Sequence, residues 1–157
     1  MTIDDIKHKK MLIVDDTPLS IIGYTEALRQ NEVDVDVAFS LEEAIEKLKG
    51  EDEQDPPYHM VMIDLDMGHV PLALKRYNPE KIGTTFCAGQ LLGKMISEKF
   101  KTKLPYFYIS NIKAGYSEQL QKRSNEVKVL DKKDILPRDI AGVIAQQLTQ
   151  KNTVVTN

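Results

Sequence analysis

Five residues of types used in phosphoryl chemistry stand at or near the ends of apolar runs. Asp15 and Asp16 follow the run MLIV, and Asp64 follows MVMI. Ser110 ends the run YFYIS, and Lys132 closes VKVLDK. Carboxylates can hold a metal ion or attack phosphorus, whereas a lysine ammonium and a serine hydroxyl can stabilise phosphoryl oxygens. The five residues therefore predict a phosphoryl-transfer site, provided that the fold brings them together.

Short apolar runs alternate along the chain with segments of helical periodicity. The predicted strands are 11–16, 33–39, 60–65, 105–110 and 127–132. The predicted helices are 18–30, 41–49, 90–100, 116–125 and 138–148. This alternation predicts an α/β fold in which helices cover both faces of a parallel sheet. Residues 66–89 lack periodicity and contain Pro71 and Pro79, so we expect a long loop there.

The carboxyl ends of parallel strands lie at one edge of a sheet, where ligands bind in such folds. The carboxylates of Asp15, Asp16 and Asp64 would repel one another there unless a cation were present. Mg²⁺ suits this position because it prefers oxygen ligands and keeps waters that a phosphate can replace. With Lys132 and Ser110 at the same edge, Asp64 is predicted to be a nucleophile that forms an acyl phosphate.

The segments MLIVDD, MVMIDLDM, YFYIS and VLDK together resemble the response-regulator receiver family, over about residues 9–149. Each segment alone is common, but all four in this order form a specific pattern. The resemblance implies a flavodoxin-like α/β fold: a doubly wound, five-stranded parallel sheet in the order 2-1-3-4-5 with helices on both faces. We expect a single receiver domain over 1–150, with an extended loop at about 69–88 and a disordered tail at 151–157.

The functional residues of the family can be carried over position by position. The catalytic residues that the resemblance implies are Asp64 as phosphoacceptor, Ser110 as phosphoryl hydrogen-bond donor and Lys132 as phosphate contact. The Mg²⁺ ligands that it implies are Asp15, Asp16, Asp64 and Asp66. Of these, Asp66 occupies the position that binds the metal through its backbone carbonyl.

The chain departs from the family pattern beside Asp64. The stretch between Asp64 and the fourth strand is longer than is usual, and the extra length falls at about 69–88. Asn111 stands where the family prefers a small residue, which predicts narrower access to the phosphoacceptor. Val129 stands where many receivers carry an aromatic residue, so their coupling between a serine and that aromatic residue is not expected here.

Composition excludes several other classes of protein. The chain has 157 residues, of which 41% are hydrophobic and 29% charged, typical of one globular domain. A net charge of −3 gives no general attraction to nucleic acids or anionic membranes. No apolar run approaches the roughly 18 residues of a membrane span, and because the segment MTIDDIKHKK has no apolar stretch after its basic cluster, we do not expect it to be a secretory signal. Cys87 is the single cysteine, so we expect a cytoplasmic protein without an intrachain disulfide.

These observations favour a stand-alone receiver over two alternatives. The receiver would take its phosphoryl group from a histidine kinase or phosphotransfer protein and act through contacts with a downstream protein. It would catalyse only its own phosphorylation and dephosphorylation, and would not be an enzyme acting on a separate substrate. The first alternative is a degenerate receiver that serves as a phosphorylation-independent interaction module, which the long loop and Asn111 would suit.

The second alternative is a Mg²⁺-dependent phosphatase of the haloacid-dehalogenase type. The segment DLDMGHV resembles the DxD motif of those enzymes, with Asp64 as nucleophile and Asp66 as acid and base. In that family the motif ends the first strand, whereas here two predicted strands precede it. This difference makes the phosphatase the least favoured hypothesis.

Overall fold

The computed structural model describes residues 2–50, 55–77, 88–111 and 129–155. The predicted helix at 116–125 lies outside the described residues, as do residues 78–87 of the predicted loop. Within the described part of the chain, no helix combines the length and the apolar character needed to cross a membrane.

Five short strands form one parallel sheet. They are Lys10–Val14 (β1), Asp34–Ala38 (β2), Met60–Asp64 (β3), Tyr106–Ser110 (β4) and Val129–Asp131 (β5). The strand order is β2-β1-β3-β4-β5, and every neighbouring pair is parallel. This confirms the predicted flavodoxin-like sheet. In the register of the sheet, Asp64 lies opposite Ile109 and Ser110 lies opposite Asp131, so the strands end nearly level with one another.

Helices surround this sheet. The α-helices of the described residues are Ile3–Ile6 (α1), Pro18–Gln30 (α2), Leu41–Leu48 (α3), Leu72–Lys75 (α4), Ala88–Lys99 (α5) and Ile140–Val155 (α6). In the packing, α2 contacts α6, whereas α3 contacts α5. Because parallel crossovers are right-handed, the reversal of strand order at β1 puts α2 and α3 on opposite faces. The prediction that helices cover both faces is therefore confirmed.

The two ends of the chain differ from the prediction. The one-turn helix α1 was not expected; it contacts α6 and carries the buried Ile6. At the other end, α6 continues to Val155, beyond the predicted helix end at residue 148. A helix propagates easily from turns that are already fixed by packing, and α6 buries Ile140 and Ile144 in its first turns.

Two of the three interior strands of the sheet are buried along their whole length. Every residue of β3 and β4 is buried, as is typical of parallel strands with both faces covered. Their last residues are polar, so Asp64 and Ser110 are carried into the interior, with exposed fractions of 7% and 2%. A polar group in that position needs a partner or a function.

Two glycines allow α5 to lie unusually close to the sheet. A Cβ atom at residue 89 would collide with the backbone carbonyl of Asp64, and one at residue 93 would collide with the hydroxyl of Tyr108. The N–H of Gly89 also donates to the carbonyl of Leu65 at 3.1 Å. The first turn of α5 is thus packed directly on the backbone at the end of β3.

This packing predicts opposite effects of the same substitution in two helices. We expect Gly93→Ala to lower the free energy of unfolding by about 1–3 kcal/mol, because the added methyl group overpacks a filled interior. The matched control is Gly142→Ala in α6, where a Cβ would meet nothing within 4 Å. That change should raise stability by up to about 1 kcal/mol through helix propensity. Urea unfolding followed by far-UV circular dichroism measures both, and equal stabilisation by the two changes would contradict the close approach of α5.

Candidate functional site

The predicted site residues lie at the carboxyl edge of the sheet. Asp15 comes directly after β1, Asp64 ends β3 and Ser110 ends β4. Lys132 comes directly after β5 and begins a turn of 3₁₀ helix, Lys132–Asp134. The alternation of strands and helices, read from the sequence, is what brings these distant positions to one edge.

Three carboxylates converge at this edge. One ligand oxygen from each of Asp15, Asp16 and Asp64 lies within 4.8 Å of those from the other two. Asp15 and Asp64 are buried, whereas Asp16 is exposed. Oxygen donors at this spacing, with one side open to water, suit Mg²⁺, which takes few protein ligands and retains waters. The residues present therefore fit the metal that the sequence predicts.

Lys132 is the cation that faces this cluster. Its Nζ donates to Oδ2 of Asp15 at 2.8 Å and lies 3.7 Å from Oδ2 of Asp64. The Lys132 side chain is only 7% exposed. A buried ammonium needs such partners, because an unpaired charge in the interior is strongly unfavourable. Lys132 thus joins the end of β5 to the ends of β1 and β3.

A serine that sequence reasoning missed also belongs to the site. The hydroxyl of Ser20, in the first turns of α2, donates to Asp15 Oδ2 at 3.0 Å. It accepts a hydrogen bond from Lys132 Nζ, also at 3.0 Å. Tyr24 lies one turn further along α2. Its hydroxyl is within hydrogen-bonding distance of two backbone carbonyls, 3.1 Å from that of Lys132 and 2.9 Å from that of Ile135, and can donate to either. In the sequence, the i, i+4 spacing of Ser20 and Tyr24 indicates only that the two side chains lie on the same face of the helix.

Backbone N–H groups hold the two buried carboxylates. The N–H of Thr17 donates to Asp15 Oδ1 at 2.8 Å, so both oxygens of this carboxylate are engaged. The N–H of Asp66 donates to Asp64 Oδ1 at 3.1 Å. The exposed Asp16 accepts from the N–H of Gly68 at 3.4 Å, which links the loop after β3 to the loop after β1.

The pKa of Asp64 reflects first its burial and then the charges around it. Burial raises it from the ordinary 3.8 to about 6, and the neighbouring carboxylates of Asp15 and Asp16 add to the rise. The Lys132 ammonium and the N–H of Asp66 oppose it but do not cancel it. A divalent cation among the three carboxylates would remove this excess of negative charge.

Other residues that the sequence singled out lie less centrally. The side chain of Asp66 is exposed and is not part of the carboxylate cluster. Asn111, directly after β4, is also exposed. The geometry thus brings Asp15, Asp16, Asp64 and Lys132 together, with Ser110 at the same edge of the sheet.

Among known proteins, similar structures support this fold, whereas sequence comparison finds no relative. No family model matches the chain, and no curated protein matches its sequence. A CheY-like response-regulator receiver domain protein from Methanospirillum hungatei superposes with a TM-score of 0.61 at 15% identity, covering 92% of this chain and 97% of that one. The receiver domain of a Francisella response regulator gives 0.61 at 17% identity, with 90% and 98% coverage.

A plant protein gives the same result. A mutant receiver domain of the histidine kinase CKI1 from Arabidopsis thaliana has a TM-score of 0.62 at 16% identity, covering 96% of this chain and 94% of that one. Over about nine tenths of its length, this chain therefore has the fold of response-regulator receiver domains. The likeness that the sequence indicated is confirmed at the level of fold.

The raised pKa of Asp64 predicts a pH-dependent stability in the absence of metal. A carboxyl group whose pKa is higher in the folded than in the unfolded state binds more protons when folded, so its contribution to stability falls as pH rises through that interval. In EDTA we expect Asp64→Asn to be more stable than the wild type at about pH 7 and this advantage to shrink at about pH 5. Urea unfolding at both pH values measures the difference, and a gap that does not change with pH contradicts the prediction.

Proposed function

We propose that this chain is a phosphorylation-dependent signalling switch that takes a phosphoryl group on Asp64. One observation carries the proposal: Asp64 ends a central strand within a cluster of three carboxylates and 3.7 Å from the buried Lys132 ammonium. A nucleophilic carboxylate, a set of oxygen ligands and a fixed cation are the parts that phosphoryl transfer requires. The receiver fold of the chain supports the same conclusion.

The proposed step is a displacement at phosphorus. An oxygen of Asp64 attacks the phosphorus of a phosphohistidine on the donor protein, so that a P–O bond forms while the P–N bond breaks. The electron pair of the broken bond returns to the donor's imidazole. Lys132 and Ser110 donate hydrogen bonds to phosphoryl oxygens, which stabilises the charge that they carry. Mg²⁺ held by Asp15, Asp16 and Asp64, with the backbone carbonyl of Asp66, would neutralise further charge on the same oxygens.

The same site also removes the phosphoryl group by hydrolysis. Attack of water on phosphorus releases inorganic phosphate and restores the Asp64 carboxylate. The proposed donor is a histidine kinase or a histidine phosphotransfer protein, and the proposed output is a change of contacts with a downstream protein in the cytoplasm. No separate substrate is turned over, so the chain catalyses only its own modification.

The described geometry weighs against the phosphatase alternative. A haloacid-dehalogenase mechanism would use the Asp66 side chain as acid and base, but that side chain is exposed and outside the carboxylate cluster. In addition, the DxD motif of that family ends the first strand along the chain, whereas Asp64 ends β3. The interaction-module alternative differs from the switch only in lacking the reaction, so the experiment below separates the two.

The proposal predicts that Asp64 is phosphorylated by a small donor. We expect incubation with acetyl phosphate and Mg²⁺ to add one phosphoryl group, detected by intact mass spectrometry and removed by hydroxylamine, which cleaves acyl phosphates. Asp64→Asn and EDTA should each abolish the gain in mass. The matched control is Asp34→Asn, an exposed aspartate at the amino end of β2, which should react as the wild type does.

Each other outcome has a definite meaning. No gain in mass with acetyl phosphate or with a phosphorylated phosphotransfer protein would contradict the switch and favour the interaction module. Continuous release of phosphate over many turnovers would favour a phosphatase. A gain that persists in Asp64→Asn would assign the phosphoryl group to another residue.

A further inference from the structure

Ser20 closes a ring of three hydrogen bonds with the two charged residues at the base of the site. Its hydroxyl donates to Asp15 Oδ2 at 3.0 Å and accepts from Lys132 Nζ at 3.0 Å. Lys132 Nζ completes the ring by donating to the same oxygen of Asp15 at 2.8 Å. The serine therefore touches both the candidate metal ligand and the candidate phosphate contact, and it comes from a helix that contributes no other side chain to this ring.

The ring uses two of the three N–H groups of the lysine. An ammonium nitrogen is tetrahedral and carries three donors, so fixing two of them fixes the direction of the third. The remaining donor is the one available to Asp64, whose Oδ2 lies 3.7 Å away. Without Ser20, Asp15 would be the one hydrogen-bond partner left to the ammonium among the described residues, and the position of Nζ would be less tightly constrained.

We propose that Ser20 is a positioning residue for phosphoryl transfer, which aims the free N–H of Lys132 at the place where the phosphoryl oxygens of Asp64 arrive. This inference rests on the proposed function and adds a residue to its machinery. The role is needed because a lysine side chain has four flexible carbons and loses considerable conformational entropy when held in one orientation. A group pre-positioned before the reaction costs no reorganisation in the transition state.

The surroundings of the ring support this role. The backbone carbonyl of Lys132 is held by the Tyr24 hydroxyl at 3.1 Å, so both ends of the lysine are anchored to α2. Asp15 is fixed from its other oxygen by the N–H of Thr17 at 2.8 Å. Removal of the Ser20 hydroxyl therefore releases one contact of Lys132 and one of Asp15, while the bonds from Tyr24 and Thr17 stay in place.

The proposal predicts a loss of rate and not of donor affinity. With saturating Mg²⁺ and acetyl phosphate, Ser20→Ala should slow phosphorylation of Asp64 about tenfold, the range expected for a hydrogen bond to a charged group. The donor concentration at half-maximal rate should change less than about twofold, because uniform binding is not affected. Ser20→Thr, which keeps the hydroxyl, should restore most of the rate. The matched control is Ser97→Ala, a half-buried helical serine of α5 that donates only to the carbonyl of Lys94.

A double-mutant cycle tests whether Ser20 acts through Lys132. In a Lys132→Ala background, followed over longer incubation, Ser20→Ala should change the rate less than about twofold. If Lys132→Ala reacts too slowly to measure, the coupling of the same two substitutions in urea unfolding decides whether the contact is real. Equal rates for the wild type and Ser20→Ala, or a tenfold loss that persists without Lys132, would overturn the positioning role while leaving phosphorylation of Asp64 intact. A wild type that accepts no phosphoryl group at all would instead refute the proposed function.

Discussion

The structure of the site depends on one balance: three carboxylates crowd one edge of the sheet, opposite the ammonium of Lys132. Asp15 and Asp64 are carried into the interior by strands that are buried up to their last residue. Buried carboxylates at this distance are tolerated only with a compensating charge. Lys132 supplies part of that charge, yet burial still raises the pKa of Asp64 to about 6. A site with excess negative charge, fixed by the backbone, is suited to a divalent cation and then to a phosphoryl group.

The ion pair between Lys132 and Asp15 connects the ends of two strands that are not neighbours in the sheet. In the sheet, β5 and β1 are separated by β4 and β3, so the lysine at the end of β5 must reach across two strands. It reaches because the chain after β5 turns toward α2, where Gly23 lies against the ring of Pro137. A Cβ at residue 23 would lie 3.0 Å from that ring, which shows how closely the two segments pack. Helix α2 thus binds Lys132 twice: Tyr24 donates to its backbone carbonyl, and Ser20 accepts from its side-chain ammonium.

The sequence was sufficient to predict the sheet and the edge at which the site lies, but not the whole site. The strands at 11–16, 60–65 and 105–110 were found because each is a short apolar run, and the polar residue near the end of each run marks the carboxyl edge, whereas the strand at 33–39 was found from its alternation of apolar and acidic residues. Ser20 and Tyr24 could not be found in this way. A serine or a tyrosine on a helix has many ordinary explanations, and its contact with a residue more than 100 positions away arises only from the packing of α2. The continuation of α6 to Val155 was missed because KNTVVTN has no apolar periodicity of its own.

The chain between β3 and α5 is fixed beside Asp64 at both of its ends. The N–H of Gly89 bonds to the carbonyl of Leu65 at 3.1 Å, and the first turn of α5 lies against the carbonyl of Asp64. Gly89, in the first turn of α5, therefore lies directly beside Leu65, which follows β3. A side chain at residue 89 would not fit there. The entropy needed to close a loop rises slowly with its length, so additional residues between fixed ends cost little stability. Because the contacts of Leu65 and Gly89 fix both ends, the position of the phosphoacceptor is set by β3 and α5 and does not depend on the length of the chain that joins them.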